Sequence, residues 1–66
     1  MSRVRVQHLR RLGYCMKGSR RWFRRRGWDW SAFVREGLPA ADFRATGDAM
    51  ATRAADLAEA DTEERS

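Results

Sequence analysis

GSRRWFRRRGWDW, residues 18–30, sets five arginines among three tryptophans and a phenylalanine. At the helical repeat of 3.6 residues per turn, Cys15, Gly18, Ser19, Trp22 and Phe23 recur at spacings of three and four along one face. Lys17, Arg20, Arg21, Arg24 and part of Arg25 then fall on the opposite face, so the stretch predicts an amphipathic helix from Tyr14 to Arg26. Gly27 suits a left-handed cap at its end. Gly18 and Ser19, small and on the apolar side, leave room for another backbone to approach closely.

Downstream of this helix the chain reads as a series of short capped helices. Asp29 is a suitable N-cap for WSAFVRE, with Trp30, Phe33 and Val34 turned inward and Gly37 closing the helix. Pro39 suits the first turn of a third helix, PAADFRAT, whose one large apolar anchor is Phe43. Gly47 breaks the pattern again, and Asp48 caps a last helix from Ala49 to about Ala60. Its apolar stripe is Met50, Ala54, Leu57 and Ala58, flanked by Ala51 and Ala55. Upstream, Val4 and Val6 alternate with arginines as a short extended segment, and HLRRL from His8 makes about one helical turn.

The fold class that follows is all-α, a compact cluster of about four short helices with a short extended N-terminal segment. The organisation expected is a single small domain over 1–66, with an extended arm at 1–7 and a frayed polar tail at 61–66. Trp22, Phe23, Trp30, Phe33, Phe43, Met50 and Leu57 form the expected core. Sixty-six residues bury only about 60% of the surface their unfolded chain exposes. A core this thin relies on dense aromatic packing or on an interface with a partner or another copy. Folding therefore claims most of the aromatics, which argues against reading them as a base-stacking platform. If any tryptophan stands exposed as an anchor, it is expected to be Trp28.

The formal net charge of +5 conceals a division of the chain. Residues 1–28 carry ten basic side chains and no acid, whereas residues 29–66 carry nine acids and four arginines. Such a molecule seeks nucleic acid, an acidic protein surface, or the acidic half of a neighbouring copy. The candidate partner- or phosphate-binding residues are Lys17, Arg20, Arg21, Arg24, Arg25, Arg26 and Trp28. The competing explanation is a solvated face whose charges meet acids of the C-terminal half or of another subunit. The succession of two helices between residues 14 and 36 invites comparison with a helix-turn-helix, but WSAFVRE offers no Asn, Gln or Lys to read base edges.

The residues carry no catalytic or metal constellation. A single cysteine, Cys15, forms no internal disulfide, and without a Cys or His cluster it makes no metal motif. Cys15 is expected as a small buried hydrophobe, and no motif pairs it with the one histidine, His8. Asp29, Asp42 and Asp48 lie at or near helix starts, where capping and dipole complementation account for them. No apolar run approaches the roughly 18 residues of a membrane span, and MSRVRVQHLRR lacks the apolar centre of a signal peptide. The reading is a non-enzymatic chain with no cofactor, no metal and no membrane partner, made in the cytoplasm.

The ordered landmarks GYC at 13–15, Gly18, RRWF at 20–23, Gly27 followed by Asp29 and Trp30, Phe33, Gly37, PAADF at 39–43 and ATGDAM at 45–50 resemble a group of short proteins encoded by tailed phages and prophages of Gram-negative bacteria. The resemblance covers about residues 9–52. Its motifs are glycines and aromatics and bring no catalytic or binding residues with them. Genes similar to this group sit among tail-morphogenesis genes, which implies a tail-tip or baseplate component or an assembly factor. That role implies binding to larger virion proteins in the tail after synthesis in the bacterial host cytoplasm. The chain departs from the group in the Arg-rich run at 24–26, which keeps nucleic acid among the expected partners. Two further roles suit a small non-catalytic chain of this charge: a counter-defence or host-takeover inhibitor that occludes a host complex, as anti-CRISPR proteins do, and a plain nucleic-acid binder. A homo-oligomer is compatible with each.

Overall fold

A computed structural model of the chain describes residues 2–65, with side chains described for residues 2–61. Five helices and a two-stranded ribbon follow one another: β1 (Arg3–Val4), α1 (Val6–Arg11), α2 (Met16–Arg25), α3 (Trp30–Glu36), β2 (Leu38–Pro39), α4 (Ala40–Ala45) and α5 (Ala49–Arg65). The protein is all-α apart from that ribbon. One helix more than expected forms because Val6–Arg11 makes a helix of its own, starting inside the arm expected at 1–7.

Local chemistry sets most of the boundaries. At the end of α2, Gly27 takes φ 75°. Its N–H donates to the Arg24 carbonyl at 3.1 Å, while the Trp28 N–H reaches back to the Phe23 carbonyl at 2.9 Å. This paired closure is a Schellman motif, and it brings the residue after the glycine back onto the last turn. Asp29 then caps α3, its Oδ1 accepting from the Ala32 N–H at 3.3 Å. Asp48 caps α5 by accepting from the N–H groups of Met50 and Ala51.

β1 pairs antiparallel with β2, Arg3 opposite Pro39 and Val4 opposite Leu38. Gly37 makes this closure fit. It sits at φ 77° and ψ −179°, a conformation open to little besides glycine, and a Cβ there would stand 2.8 Å from the Val4 carbonyl oxygen. The Arg3 guanidinium donates to the Gly37 carbonyl at 3.2 Å, which ties the N-terminus to the end of α3.

The core is a cluster of three phenylalanines, Phe23, Phe33 and Phe43, closed by Val4, Leu9, Ala40 and the α5 alanines Ala51, Ala54, Ala55 and Ala58. Ring centroids of Phe23 and Phe33 lie 4.7 Å apart, and those of Phe33 and Phe43 6.0 Å apart. Alanine contributes little buried area, but it lets α5 lie close against α4, α1 and β1. Trp22 and Trp30, expected in the core, pack against its edge half-buried, and Leu57 is half-buried as well.

Met50, expected in the core, and Val34, expected to turn inward on its helix, are solvent-facing. Met50 is 56% exposed and Val34 46% exposed. In each case the buried face is set by a neighbour one residue on or back, Ala51 and Phe33, and the helical step of about 100° per residue turns Met50 and Val34 off it. Cys15, expected to be buried, is exposed because it is the N-cap of α2 and not a member of its packed face. The helix expected to end near Ala60 continues through Arg65, so the expected tail at 61–66 is helical as far as it is described; Ser66 lies outside the described residues.

Candidate interaction site

α2 carries Lys17, Arg20, Arg21, Arg24 and Arg25 on its outer side, all five exposed. Phe23 is the buried residue that fixes this orientation. Arg24 and Arg25 occupy the last turn, where cations complement the negative end of the helix dipole. Among the described residues none of these five has an acidic partner within ion-pair distance. The described acids are engaged elsewhere or stand apart. Asp29 and Asp48 cap helices, while Asp56 and Glu59 both grip Arg44, Asp56 at 2.6 Å. Those two carboxylates raise the pKa of Arg44 further, Glu59 contributing most. Asp61 lies 3.7 Å from Arg11 and 3.2 Å from His8. These carboxylates are thus engaged by helix N–H groups, Arg44, Arg11 and His8, and α2 keeps its charge.

Arg26 and Trp28, both expected at the contact surface, pack together at the end of α2, Arg26 exposed and Trp28 half-buried. The Schellman turn folds Trp28 back on Phe23, ring centroids 5.3 Å apart, and its ring also meets Trp22 edge-on at 5.4 Å. Trp28 is therefore half-buried and is not an exposed anchor. The Arg26 guanidinium lies over both indoles, 5.3 Å from the Trp22 ring centre and 5.6 Å from that of Trp28. These are cation–π contacts that hold the end of α2 in place.

Beside the basic face lies an open cleft of about 280 Å³. Phe23 and Phe43 form its floor, Leu9, Tyr14, Trp22, Ala51 and Ala54 its walls, and Met50, Cys15, Gly18 and Arg25 its rim. The space is smaller than the roughly 300–1,000 Å³ typical of small-molecule sites. Three of its polar side chains are already used: the Tyr14 hydroxyl donates to the Met50 carbonyl at 3.0 Å, the Ser19 hydroxyl to the Cys15 carbonyl at 2.9 Å, and Asp48 caps α5. At the rim the backbone N–H groups of Gly18 and then Lys17 face the Cys15 sulfur and lower its pKa, with the charges of Lys17 and Arg21 acting in the same direction. No closed capping hydrogen bond forms, so this is the effect of oriented N–H dipoles at a helix start.

The sequence left this cleft unread, although Gly18 and Ser19 signalled it. Both suggested the close approach of another backbone, yet a Cβ on Gly18 would meet only the Cys15 Cβ, at 3.9 Å.

His8 is the other polar group of note. It is 3% exposed, its Nδ1 accepts from the Arg5 N–H at 2.9 Å, and its Nε2 lies 3.2 Å from Asp61 Oδ2. With Nδ1 accepting, Nε2 carries the proton and donates it to Asp61. This bridge ties the start of α1 to α5, and no hydroxyl or thiol is hydrogen-bonded to the imidazole among the described residues. Among the described residues no group of three or more His, Cys, Asp or Glu could hold a metal ion, and no helix is long and apolar enough to cross a membrane. No protein-family model matches the chain, and no curated protein or solved structure is significantly similar to it.

Proposed function

We propose that this chain is a non-catalytic binding protein of phage particles, a small tail-tip or baseplate component or assembly factor, that docks on an acidic surface of a larger neighbour through α2. The observation that carries the binding role is the outer face of α2, where Lys17, Arg20, Arg21, Arg24 and Arg25 have no acidic partner among the described residues. Five cations held on two and a half turns repel one another, and an anionic surface relieves that repulsion. The tail assignment rests on the glycine and aromatic landmarks in the sequence. In this reading the buried histidine, engaged at both nitrogens, serves the fold.

Nucleic acid is the second reading, favoured by the density of guanidinium groups on one face. Trp22 and Trp28 are tied up with Phe23, Phe43 and Arg26, so such binding would use backbone phosphates and not base stacking. Occlusion of a host complex would use the same face inside the cell. Mass spectrometry of purified particles tests the assignment. The chain is expected at a fixed copy number per particle, and clean absence would overturn the tail role in favour of an intracellular one.

A further inference from the structure

We propose that the apolar cleft beside α2 receives a bulky side chain from an acidic, amphipathic segment of the partner protein, whose flanking carboxylates meet Arg21 and Arg25. The inference rests on the reading of α2 as the contact surface and names what that surface binds.

Three observations select this occupant. The cleft is lined mostly by aromatic and aliphatic groups, and the Tyr14 and Ser19 hydroxyls and the Asp48 carboxylate beside them already have internal partners, which leaves the Arg25 guanidinium as its one charged group without an ion-pair partner among the described residues. Its opening is widened by Gly18, which nothing covers, and is bordered by Met50, the most exposed large apolar side chain of the core-facing helices. Arg25 lines the cleft and Arg21 stands one helical turn before it on the unpaired face, so any group entering the cleft does so beside positive charge. An apolar anchor with Asp or Glu beside it satisfies both features at once. Interfaces concentrate their energy in such arrangements, a large side chain in a desolvated pocket with charges at the rim. A nucleic acid would use the arginines and leave the cleft unfilled, and its bases find the Trp22 ring already covered by Arg26.

Gly18→Leu provides the test. The new side chain grows from the cleft lining, where a Cβ meets only the Cys15 Cβ at an ordinary 3.9 Å, and replacing a helical glycine does not strain α2. A random dodecapeptide display library is selected on the immobilised full chain, and the recovered peptides are synthesised and titrated against wild type, Gly18→Leu and Arg21→Glu/Arg25→Glu, with circular dichroism confirming that each variant is folded. Recovered peptides should combine Trp, Phe or Leu with several Asp or Glu, and should lose affinity about ten-fold or more against each variant. Acidic peptides that bind Gly18→Leu as well as wild type would overturn the cleft assignment while leaving the basic face as the contact surface. Peptides without acidic enrichment, indifferent to the arginine reversals, would overturn both. Short duplex DNA that loses affinity for Gly18→Leu as the peptides do would assign the cleft to nucleic acid and overturn the proposal. So would wild-type self-association abolished by Gly18→Leu, with a second copy as the occupant.

Discussion

His8 and Cys15, the two side chains a search for chemistry finds first, are used in opposite ways. The His8 imidazole is a buried strut that accepts from Arg5 and donates to Asp61. Replacing it by Ala removes a buried side chain and leaves a backbone N–H and a carboxylate without that partner, at a cost of about 2–3 kcal/mol. Urea denaturation reads this directly, and a loss below about 0.5 kcal/mol, the range of an ordinary surface substitution, would contradict the strut role. Cys15 is exposed at the start of α2, where the N–H groups of Gly18 and Lys17 hold its pKa below the ordinary value. The thiolate is therefore favoured in the folded chain at a pH where an unfolded one still holds its proton. Alkylation by iodoacetamide just below the ordinary thiol pKa should be faster in the folded protein than in urea, and the two rates should converge well above that pH. Equal rates throughout would contradict the assigned surroundings of the sulfur. That Cys15 would be exposed was not legible in the sequence, because an N-cap and a first-turn core position differ by one residue and cysteine suits both.

Helix ends were more legible than helix faces. Asp29 and Asp48 cap α3 and α5 and Gly27 closes α2 as their types require, since capping is settled within a few residues of chain. On α5 the expected stripe holds at Ala54 and Ala58, with the flanking Ala51 and Ala55 buried beside them, but not at Met50, which is exposed, or at Leu57, which is half-buried. Met50 is the larger hydrophobe, but close packing against α4 and α1 selects the alanines at 51, 54, 55 and 58. The β1–β2 pairing was legible only as an extended tendency at Val4, because its partner lies more than thirty residues away. Two glycines separate these effects by experiment. Gly37→Ala meets the Val4 carbonyl and an unfavourable φ and should cost about 1–3 kcal/mol. Gly18→Ala, inside α2 with only an ordinary 3.9 Å contact to the Cys15 Cβ, should add about 0.5–1 kcal/mol. In a chain of this size each kcal/mol moves Tm by roughly 4–8 °C, so the two variants should shift in opposite directions. A stable Gly37→Ala would show that the ribbon does not close as described.

The charge division written along the sequence becomes a division of surfaces in the folded protein. In the C-terminal half Arg44 gathers Asp56 and Glu59, and Asp61 meets His8 and Arg11, while α2 presents its cations outward. The candidate face was legible because periodicity alone separates Arg20, Arg21 and Arg24 from Phe23. That it would go uncompensated was not, because the pairing of Arg44 with Asp56 and Glu59 depends on how α4 meets α5. Retention on a heparin column across a salt gradient tests the central claim most directly. The measurement compares wild type with two triple reversals that remove equal charge, Arg20→Glu/Arg21→Glu/Arg24→Glu on α2 and Arg10→Glu/Arg35→Glu/Arg53→Glu at exposed positions elsewhere. The predicted result is that the first variant stays helical and loses retention, whereas the second elutes close to wild type. Equal loss in both would mean that net charge alone governs binding, and that α2 presents no dedicated contact face.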